Sequence, residues 1–268
     1  MNNWHALILG LVEGLTEFLP ISSTAHLILF SQWLKIPSSE FLKTFEISIQ
    51  LGAILAVVIL YWKKIWSSWN IIFKIGTAFI TTSIIGLVLY ETAKNYLMEN
   101  NYLIGGTLFF GGIIIILFEK YYCKNKNTSP TVLVEDDKPL EAMTYAQATI
   151  IGACQALAIV PGVSRSAATI IGGLSLGLSR TNIVEFSFLL AIPTMMAATS
   201  LDLYKSRETL SLLSSGDFTA WAVGFTVSFV TAIIGVKFFL KFIQKNNFAP
   251  FGWYRIILGI IIFSYLLL

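Results

Sequence analysis

Reactive side chains are concentrated in one short apolar stretch of the chain, residues 10–27, GLVEGLTEFLPISSTAHL. Glu13 and Glu17 lie four residues apart, so on a helix their carboxylates share one face. Ser23 and His26 follow a helix-breaking proline, where a second helix can begin. Carboxylates, a hydroxyl and an imidazole are groups that move protons or attack an electrophile. We call this stretch the first elbow and expect it to carry acid–base chemistry.

A second broken stretch offers a different chemistry. We call residues 161–169, PGVSRSAAT, the second elbow. Ser164 suits the cap of a following helix, and Arg165 would then lie among the free N–H groups of its first turn. Free N–H groups, a positive helix end and a guanidinium together favour phosphate binding. The alternative is that Arg165 only pairs with Glu13 or Glu17 so that the elements pack.

The composition places both elbows in a membrane protein. Hydrophobic residues make up 56% of the 268 and charged residues 12%, whereas soluble domains carry about 25% charged residues. The sequence therefore predicts a polytopic membrane protein rather than a soluble domain. No motif indicates an organic cofactor or a nucleic-acid partner. The runs long enough to cross a bilayer lie near residues 44–62, 74–90, 102–119, 181–204, 218–240 and 251–268.

The two elbows belong to an internal duplication. ILGLVEGLTEFLPISST (8–24) is similar to IIGACQALAIVPGVSRS (150–166), and each lies in a broken helical hairpin, near 3–35 and 143–178. Three spans follow each hairpin, so the second copy must be upside down relative to the first. The predicted fold is all-α, with six transmembrane helices plus two re-entrant helical hairpins in an inverted-topology repeat. A single integral membrane domain is expected over residues 1–268, with repeats at about 1–122 and 143–268.

Lysine and arginine counts orient the predicted spans. Eleven of these residues fall on one side of the membrane and five on the other, which places the first side in the cytoplasm. Both termini and the mouth of the first elbow are then expected to face outward. The charged loop near residues 120–142 is expected to be a solvated connector.

Ionisable residues at membrane depth each cost roughly 2.5–3.5 kcal/mol when unpaired, so they usually have partners and a function. Glu46 and Glu185 occupy equivalent places in the two copies. For these two, a structural role such as tying a span to its elbow is at least as well supported as catalysis. The residues in this class are Glu13, Glu17, His26, Glu46, Arg165 and Glu185.

Four motifs carry a resemblance to a known family. They are EGLTEFLPISSTAHL (13–27), FEISIQLGAILAVV (45–58), PGVSRSAATI (161–170) and WYRIILG (253–259). In this order they resemble the undecaprenyl-diphosphate phosphatases of bacteria, also called bacitracin-resistance proteins. The sequence departs from the family pattern at Ala25 and Ala167, where glycine is common, and keeps the polar residues.

The resemblance implies a multi-pass hydrolase of the bacterial cytoplasmic (inner) membrane. Such an enzyme converts undecaprenyl diphosphate to undecaprenyl phosphate and phosphate at a site facing the outer leaflet. It recycles the lipid carrier for peptidoglycan synthesis and gives bacitracin resistance. The implied catalytic residues are Glu17, His26, Ser23 and Arg165. The substrate-binding residues expected with them are Ser22, Thr24, Ser164, Arg165, Ser166 and Thr169.

The resemblance also implies help from a divalent cation, Mg²⁺ or Ca²⁺. Carboxylate oxygens are suitable ligands for either ion, so Glu13 and Glu17 are the candidate metal ligands. The sequence leaves three candidate nucleophiles: Ser23, His26 or a water that Ser23 positions. The glycines at 105, 106, 111 and 112 favour close packing of spans, within one subunit or between two copies in a homodimer.

The main alternative function is a secondary transporter or a polyprenyl-phosphate flippase. Inverted repeats with broken helices at the midplane are typical of transporters. The two copies have diverged, however, because Gln155 stands where the first copy has Glu13. A division between acid–base groups in one copy and a phosphate-binding arginine in the other favours phosphoryl chemistry.

Overall fold

A computed structural model describes residues 1–96, 101–125, 139–207 and 215–267. Over these ranges the protein is all-helical, with ten α-helices and two short 3₁₀ helices. Most of the connector expected at 120–142 lies outside the described residues. Six helices are long: α3 (Glu40–Ser67), α4 (Trp69–Tyr96), α5 (Asn101–Asn125), α8 (Arg180–Lys205), α9 (Ser215–Ile243) and α10 (Ala249–Leu267). Four are short: α1 (Asn3–Thr16), α2 (Ser23–Trp33), α6 (Tyr145–Ala156) and α7 (Arg165–Ser175).

The six long helices are the membrane spans that the hydropathy predicts. Each is long and apolar enough to cross a bilayer, and the outer helices expose large apolar side chains such as Ile84 and Leu87 of α4. The protein is therefore a multi-pass membrane protein. Its helices run past the predicted apolar limits, as when α3 continues through Lys63 and Lys64, because charged residues end an apolar run without ending a helix.

Each proline-containing segment forms two short helices. The α1 helix ends at Thr16, four residues before Pro20, where the proline ring would clash with the carbonyl of residue 16. The α6 helix ends at Ala156 and passes into a 3₁₀ turn before Pro161. The predicted helix–turn–helix pattern is thus present in both segments.

The backbone has the same unusual conformation just before α2 and just before α7. Ser22 has a φ of 69° and Ser164 a φ of 68°. Positive φ is uncommon for residues other than glycine, and such a conformation costs on the order of 1–3 kcal/mol. The surrounding contacts must stabilise it, and in both elbows the strained serine directly precedes the first residue of the helix.

The two short hairpins also pack on the spans in matching ways. In the first hairpin, α1 packs against α9, and the Thr231 hydroxyl lies 3.5 Å from the Gly10 carbonyl oxygen. In the second, α6 packs against α4, and the Thr82 hydroxyl donates to the Gly152 carbonyl at 2.7 Å. Gly10 and Gly152 are equivalent in the sequence duplication, so two equivalent carbonyls each lie near a threonine hydroxyl of the span against which the short helix packs.

A glycine makes the close packing of α1 on α9 possible. A Cβ on Gly14 would collide with the Ser228 carbonyl oxygen and the Thr231 hydroxyl. Substitution Gly14→Ala is therefore expected to destabilise the protein by about 1–3 kcal/mol, the usual cost of overpacking, as measured by thermal unfolding in detergent. The matched control is Gly86→Ala, since a Cβ there has no atom within 4 Å. Equal melting temperatures for the two variants would contradict this packing.

An aromatic cluster fixes the first elbow against the core. Phe18 packs edge to face on Phe188 of α8, with ring centroids 5.2 Å apart, and Phe188 contacts Phe239 of α9 at 6.0 Å. Phe18 is 1% exposed. Because α3 and α8 are the most buried of the described spans, the elbow packs against the interior of the protein.

The two equivalent glutamates make structural contacts. Glu46 of α3 accepts a hydrogen bond from Ser31 of α2 at 2.7 Å, which ties the span to its own hairpin. Glu185 of α8 pairs with Lys64 of α3, so it joins two spans rather than a span and an elbow. The contacts of Glu46 and Glu185 therefore favour a structural role over a catalytic one.

The glycines of α5 pack against α10 of the same chain. A Cβ on Gly112 would approach Ile256 at 2.8 Å, and one on Gly105 would approach Ile262 at 3.2 Å. Gly105 and Gly112 therefore serve packing within one subunit, and the homodimer stays a prediction.

Candidate active site

The breaks of the two hairpins lie against each other. Arg165 is the first residue of α7, and its Nη2 lies 2.9 Å from Oε1 of Glu17 at the end of α1. Ser166 donates a hydrogen bond to the Leu19 carbonyl at 2.7 Å. The acid-bearing elbow and the arginine-bearing elbow, which are far apart in sequence, therefore form one cluster.

Glu17 is the centre of this cluster. One carboxylate oxygen pairs with Arg165, and the other accepts a hydrogen bond from the Ser23 hydroxyl. Ser23 begins α2, so its side chain points back toward the elbow, and it is 6% exposed. A hydroxyl that already donates to a carboxylate can lose its proton as it attacks, which is the usual activation of a serine nucleophile.

Two hydrogen-bond donors of Arg165 are left unpaired by its contact with Glu17. Its Nε and Nη1 atoms are buried and have no partner in the described part of the chain. Unpaired buried donors on a charged group are costly, because they have given up water without a replacement. A phosphate would satisfy them in the planar geometry that guanidinium groups offer. Arg165 can therefore bind a phosphate in addition to pairing with Glu17.

Both ring nitrogens of His26 are occupied. Nδ1 lies 2.7 Å from the Ser22 carbonyl oxygen, and Nε2 lies 2.7 Å from the Tyr254 hydroxyl. Since a carbonyl can only accept, Nδ1 carries the proton, and Nε2 of the neutral ring accepts from Tyr254. The Ser23 hydroxyl therefore meets the carboxylate of Glu17 in the described part of the elbow, while His26 is held by Ser22 and Tyr254.

Nearly the whole chain matches a known protein family. The family model described as bacitracin resistance protein BacA matches residues 6–261. The chain belongs to this family.

Relatives match this BacA-family chain over nearly its whole length. It is 50% identical to the undecaprenyl-diphosphatase of Sulfurihydrogenibium sp. over 97% of this chain and 98% of the relative. It is 49% identical to the enzyme of that name from Wolinella succinogenes, over 99% of both chains. The undecaprenyl-diphosphatase of Aquifex aeolicus is 45% identical over 100% of both.

The BacA-family chain has two site residues to which sequence reasoning assigned no role, Tyr254 and Arg255 of α10. Tyr254 holds Nε2 of His26, and the two rings stack with an interplanar angle of 3°. Arg255 is 1% exposed and reaches both elbows. The available signal was a charged residue inside an apolar span, which is rare without a function.

Glu13 is fully buried, and both of its carboxylate oxygens lack a partner among the described residues. Its carboxyl group neighbours that of Glu17. No group of three or more His, Cys, Asp or Glu side chains is arranged for a metal in the described part of the chain. Two carboxylates nevertheless fit Mg²⁺, which protein sites often hold with one or two carboxylates and the substrate's phosphates.

The other candidate residues of the first elbow differ in exposure. Ser22 is buried and holds His26 through its carbonyl oxygen, and its hydroxyl makes no capping bond at the start of α2. Thr24 is exposed in the first turn of α2. A ligand entering beside Ser23 would therefore meet the Thr24 side chain.

The candidate hydroxyl residues of the second elbow make two separate side-chain contacts. Ser164 caps α7 by accepting from the Ala167 N–H at 3.3 Å, and its oxygen lies 3.1 Å from that of Ser166. Thr169 lies one turn deeper and contacts Ser187 of α8 at 2.6 Å. Ser164 and Ser166 thus flank Arg165 along the chain, while the contact of Thr169 fixes α7 to its neighbouring span.

Proposed function

We propose that this protein is a membrane-embedded undecaprenyl diphosphate phosphatase. It converts undecaprenyl diphosphate to undecaprenyl phosphate and phosphate, recycles the carrier for peptidoglycan synthesis and gives bacitracin resistance. The names of the relatives support the substrate. The observation that carries the chemistry is the Arg165 guanidinium, which holds Glu17 and keeps two buried donors for a phosphate beside Ser23.

The first step of the proposed reaction takes place at Ser23. The terminal phosphate lies against Nε and Nη1 of Arg165 and the N–H groups at the start of α7. The Ser23 oxygen attacks the terminal phosphorus while its proton passes to Glu17. The bond from this phosphorus to the bridging oxygen breaks, and undecaprenyl phosphate leaves with that electron pair. Phosphate is then bound to Ser23.

Water completes the reaction. It attacks the phosphorus on Ser23, and its proton passes through the Tyr254 hydroxyl to Nε2 of His26. The Ser23 oxygen leaves and takes back the proton from Glu17, which releases inorganic phosphate. His26 then gives its proton to solvent, and the site returns to its starting state. Ser22 supports this step because its carbonyl fixes the ring of His26.

Glu13 and Glu17 are the residues that would hold a divalent cation. Such an ion supplies charge neutralisation for the phosphate oxygens. Without an ion, two neighbouring buried carboxylates repel each other unless they share a proton. Glu13 in this proposal is therefore the residue that makes the site depend on a cation.

Removal of the Glu13 charge tests this dependence. We expect Glu13→Gln to raise the Mg²⁺ concentration needed for half-maximal phosphate release by about 10–100-fold, the size of effect seen when groups that support a metal are removed. The measurement is a Mg²⁺ titration of the purified protein in detergent. Glu185→Gln is the matched control, because the Glu185 carboxylate pairs with Lys64 of α3. An unchanged Mg²⁺ requirement in Glu13→Gln would remove Glu13 from the cation site.

We also propose the inverted-topology arrangement for this single domain, with repeats at about 1–122 and 143–268. The matching backbone of Ser22 and Ser164 supports it, as do the equivalent contacts of Gly10 and Gly152. In this arrangement the two hairpins enter the membrane from opposite sides and meet at the site. Both termini and the mouth of the first elbow face the outer leaflet of the cytoplasmic membrane, as the lysine and arginine counts favour.

Phosphate release in detergent distinguishes a phosphatase from a transporter. Purified wild-type protein, with no membrane and no gradient, is expected to release phosphate from undecaprenyl diphosphate. A transporter or flippase has no substrate gradient to use in micelles and would release none. Failure of the purified, folded wild-type protein to release phosphate would overturn the proposed function.

A further inference from the structure

Arg255 of α10 contacts both elbows through its guanidinium. Its Nη1 atom donates to the Pro20 carbonyl of the first elbow at 3.3 Å and to the Val163 carbonyl of the second at 3.1 Å. Its Nη2 atom donates to the Gly162 carbonyl at 2.9 Å and to the Thr107 carbonyl of α5 at 3.1 Å. One guanidinium therefore joins both broken helices to a span.

The acceptors of Arg255 are the groups that a broken helix leaves without partners. A proline break frees backbone carbonyls that no helical N–H can satisfy, and lipid offers no donor for them. Arg255 supplies donors in a fixed planar fork, which a lysine cannot reproduce. The carbonyls that Arg255 binds come just before Ser23 in the first elbow and just before Arg165 in the second. These hydrogen bonds therefore fix the positions of the two reacting groups relative to each other.

Close packing holds the guanidinium itself in place. A Cβ on Gly111 of α5 would collide with the Arg255 guanidinium. The side chain is 1% exposed, so it is held between α5 and the elbows without contact with solvent.

We propose that Arg255 is a positioning residue for the phosphatase reaction, which sets the distance between the Glu17–Ser23 pair and Arg165. This inference rests on the proposed function. Arg255 touches backbone only in the described contacts, and the Arg165 side chain is held by its own pair with Glu17 rather than by Arg255. Its loss is therefore expected to reduce turnover while phosphate binding is kept.

The test combines kcat with the inhibition constant of inorganic phosphate, a product that binds at Arg165. For Arg255→Lys we expect kcat to fall about 10–100-fold, the effect of misplacing a reacting group by roughly 1 Å. The phosphate inhibition constant is expected to change by less than about threefold. Arg255→Met should reduce kcat further, because methionine has no donor for any of the carbonyls.

Gly111→Ala gives a second test that leaves every donor in place. The added methyl group displaces the guanidinium, so kcat is expected to fall with the phosphate inhibition constant unchanged. Gly106→Ala is the matched control on the same helix, because its Cβ would be 4.0 Å from the nearest atom, in Phe263. Thermal unfolding of each variant gives the folded fraction, by which kcat is corrected.

The outcomes separate the two proposals. Wild-type phosphate release is measured first, and its absence overturns the proposed function rather than the role of Arg255. Given an active wild type, corrected kcat values of Arg255→Lys and Gly111→Ala equal to wild type would overturn the positioning role. A parallel loss of phosphate binding would also overturn it, since Arg255 would then act on the binding groups.

Discussion

Arg165→Lys is expected to slow phosphate release by about 10²–10³-fold, although it keeps the positive charge. The guanidinium pairs with Glu17 through Nη2 and keeps Nε and Nη1 for the substrate. An ammonium group is a point charge that cannot serve both partners in one plane. The expected size is that of losing one preorganised donor to the transition state. Arg165→Met, which also removes the charge, should lose about 10³–10⁵-fold, as arginines that stabilise phosphoryl transfer do.

The measurement for Arg165 is steady-state phosphate release together with phosphate inhibition. Both should weaken, because this arginine contacts the phosphate directly. Arg180→Lys is the control for the chemistry of the substitution, since Arg180 pairs with the carboxylate of Glu119 rather than with that of Glu17. If Arg165→Lys keeps wild-type kcat and wild-type phosphate affinity, the arginine has only the packing role that the sequence left open.

Glu17→Gln is expected to lower kcat by about 10²–10⁴-fold, the range for removal of a general base. The amide keeps the size of the side chain and can still accept from Arg165. It cannot take the proton of Ser23, so the attack on phosphorus is slowed. Glu46→Gln, whose carboxylate contacts Ser31 instead of a reacting group, should stay near wild type.

The Glu17 variant also tests the serine step. In rapidly quenched wild-type reactions, mass spectrometry is expected to find phosphate on Ser23. The amount should fall in Glu17→Gln, because formation of the phosphoserine needs the base. Wild-type turnover in Glu17→Gln, or wild-type turnover in Ser23→Ala, would remove the proposed base–nucleophile pair.

Local signals explain why much of the architecture can be predicted from the sequence. Apolar length predicts the spans, and Pro20 and Pro161 interrupt their helices for steric reasons that need no tertiary context. The pairing of Arg165 with Glu17 was one of the alternatives considered, since charges within a membrane need partners. The alignment of the two copies also pairs Gly10 with Gly152, and the carbonyls of these two glycines make matching contacts.

The features that the sequence does not predict depend on how helices far apart in the chain pack together. The partner of Ser23 could not be chosen between Glu17 and His26, because the turn at Ser22 sets the direction of the side chain. Arg255 binds backbone carbonyls, and a carbonyl has no sequence signature. Likewise, glycines on α5 can pack within a subunit or between subunits, and only the position of α10 decides between them.

The position of Arg255 along the chain has a consequence for biosynthesis. Pro20, whose carbonyl it binds, is made 235 residues earlier. Translation proceeds at about 5–20 residues per second, so Pro20 is synthesised roughly 10–50 s before Arg255. Until α10 is inserted, the carbonyls at both breaks lack this donor. Phosphatase activity should therefore appear only when the last described helix has entered the membrane, so that a nascent chain stalled before α10 is inert.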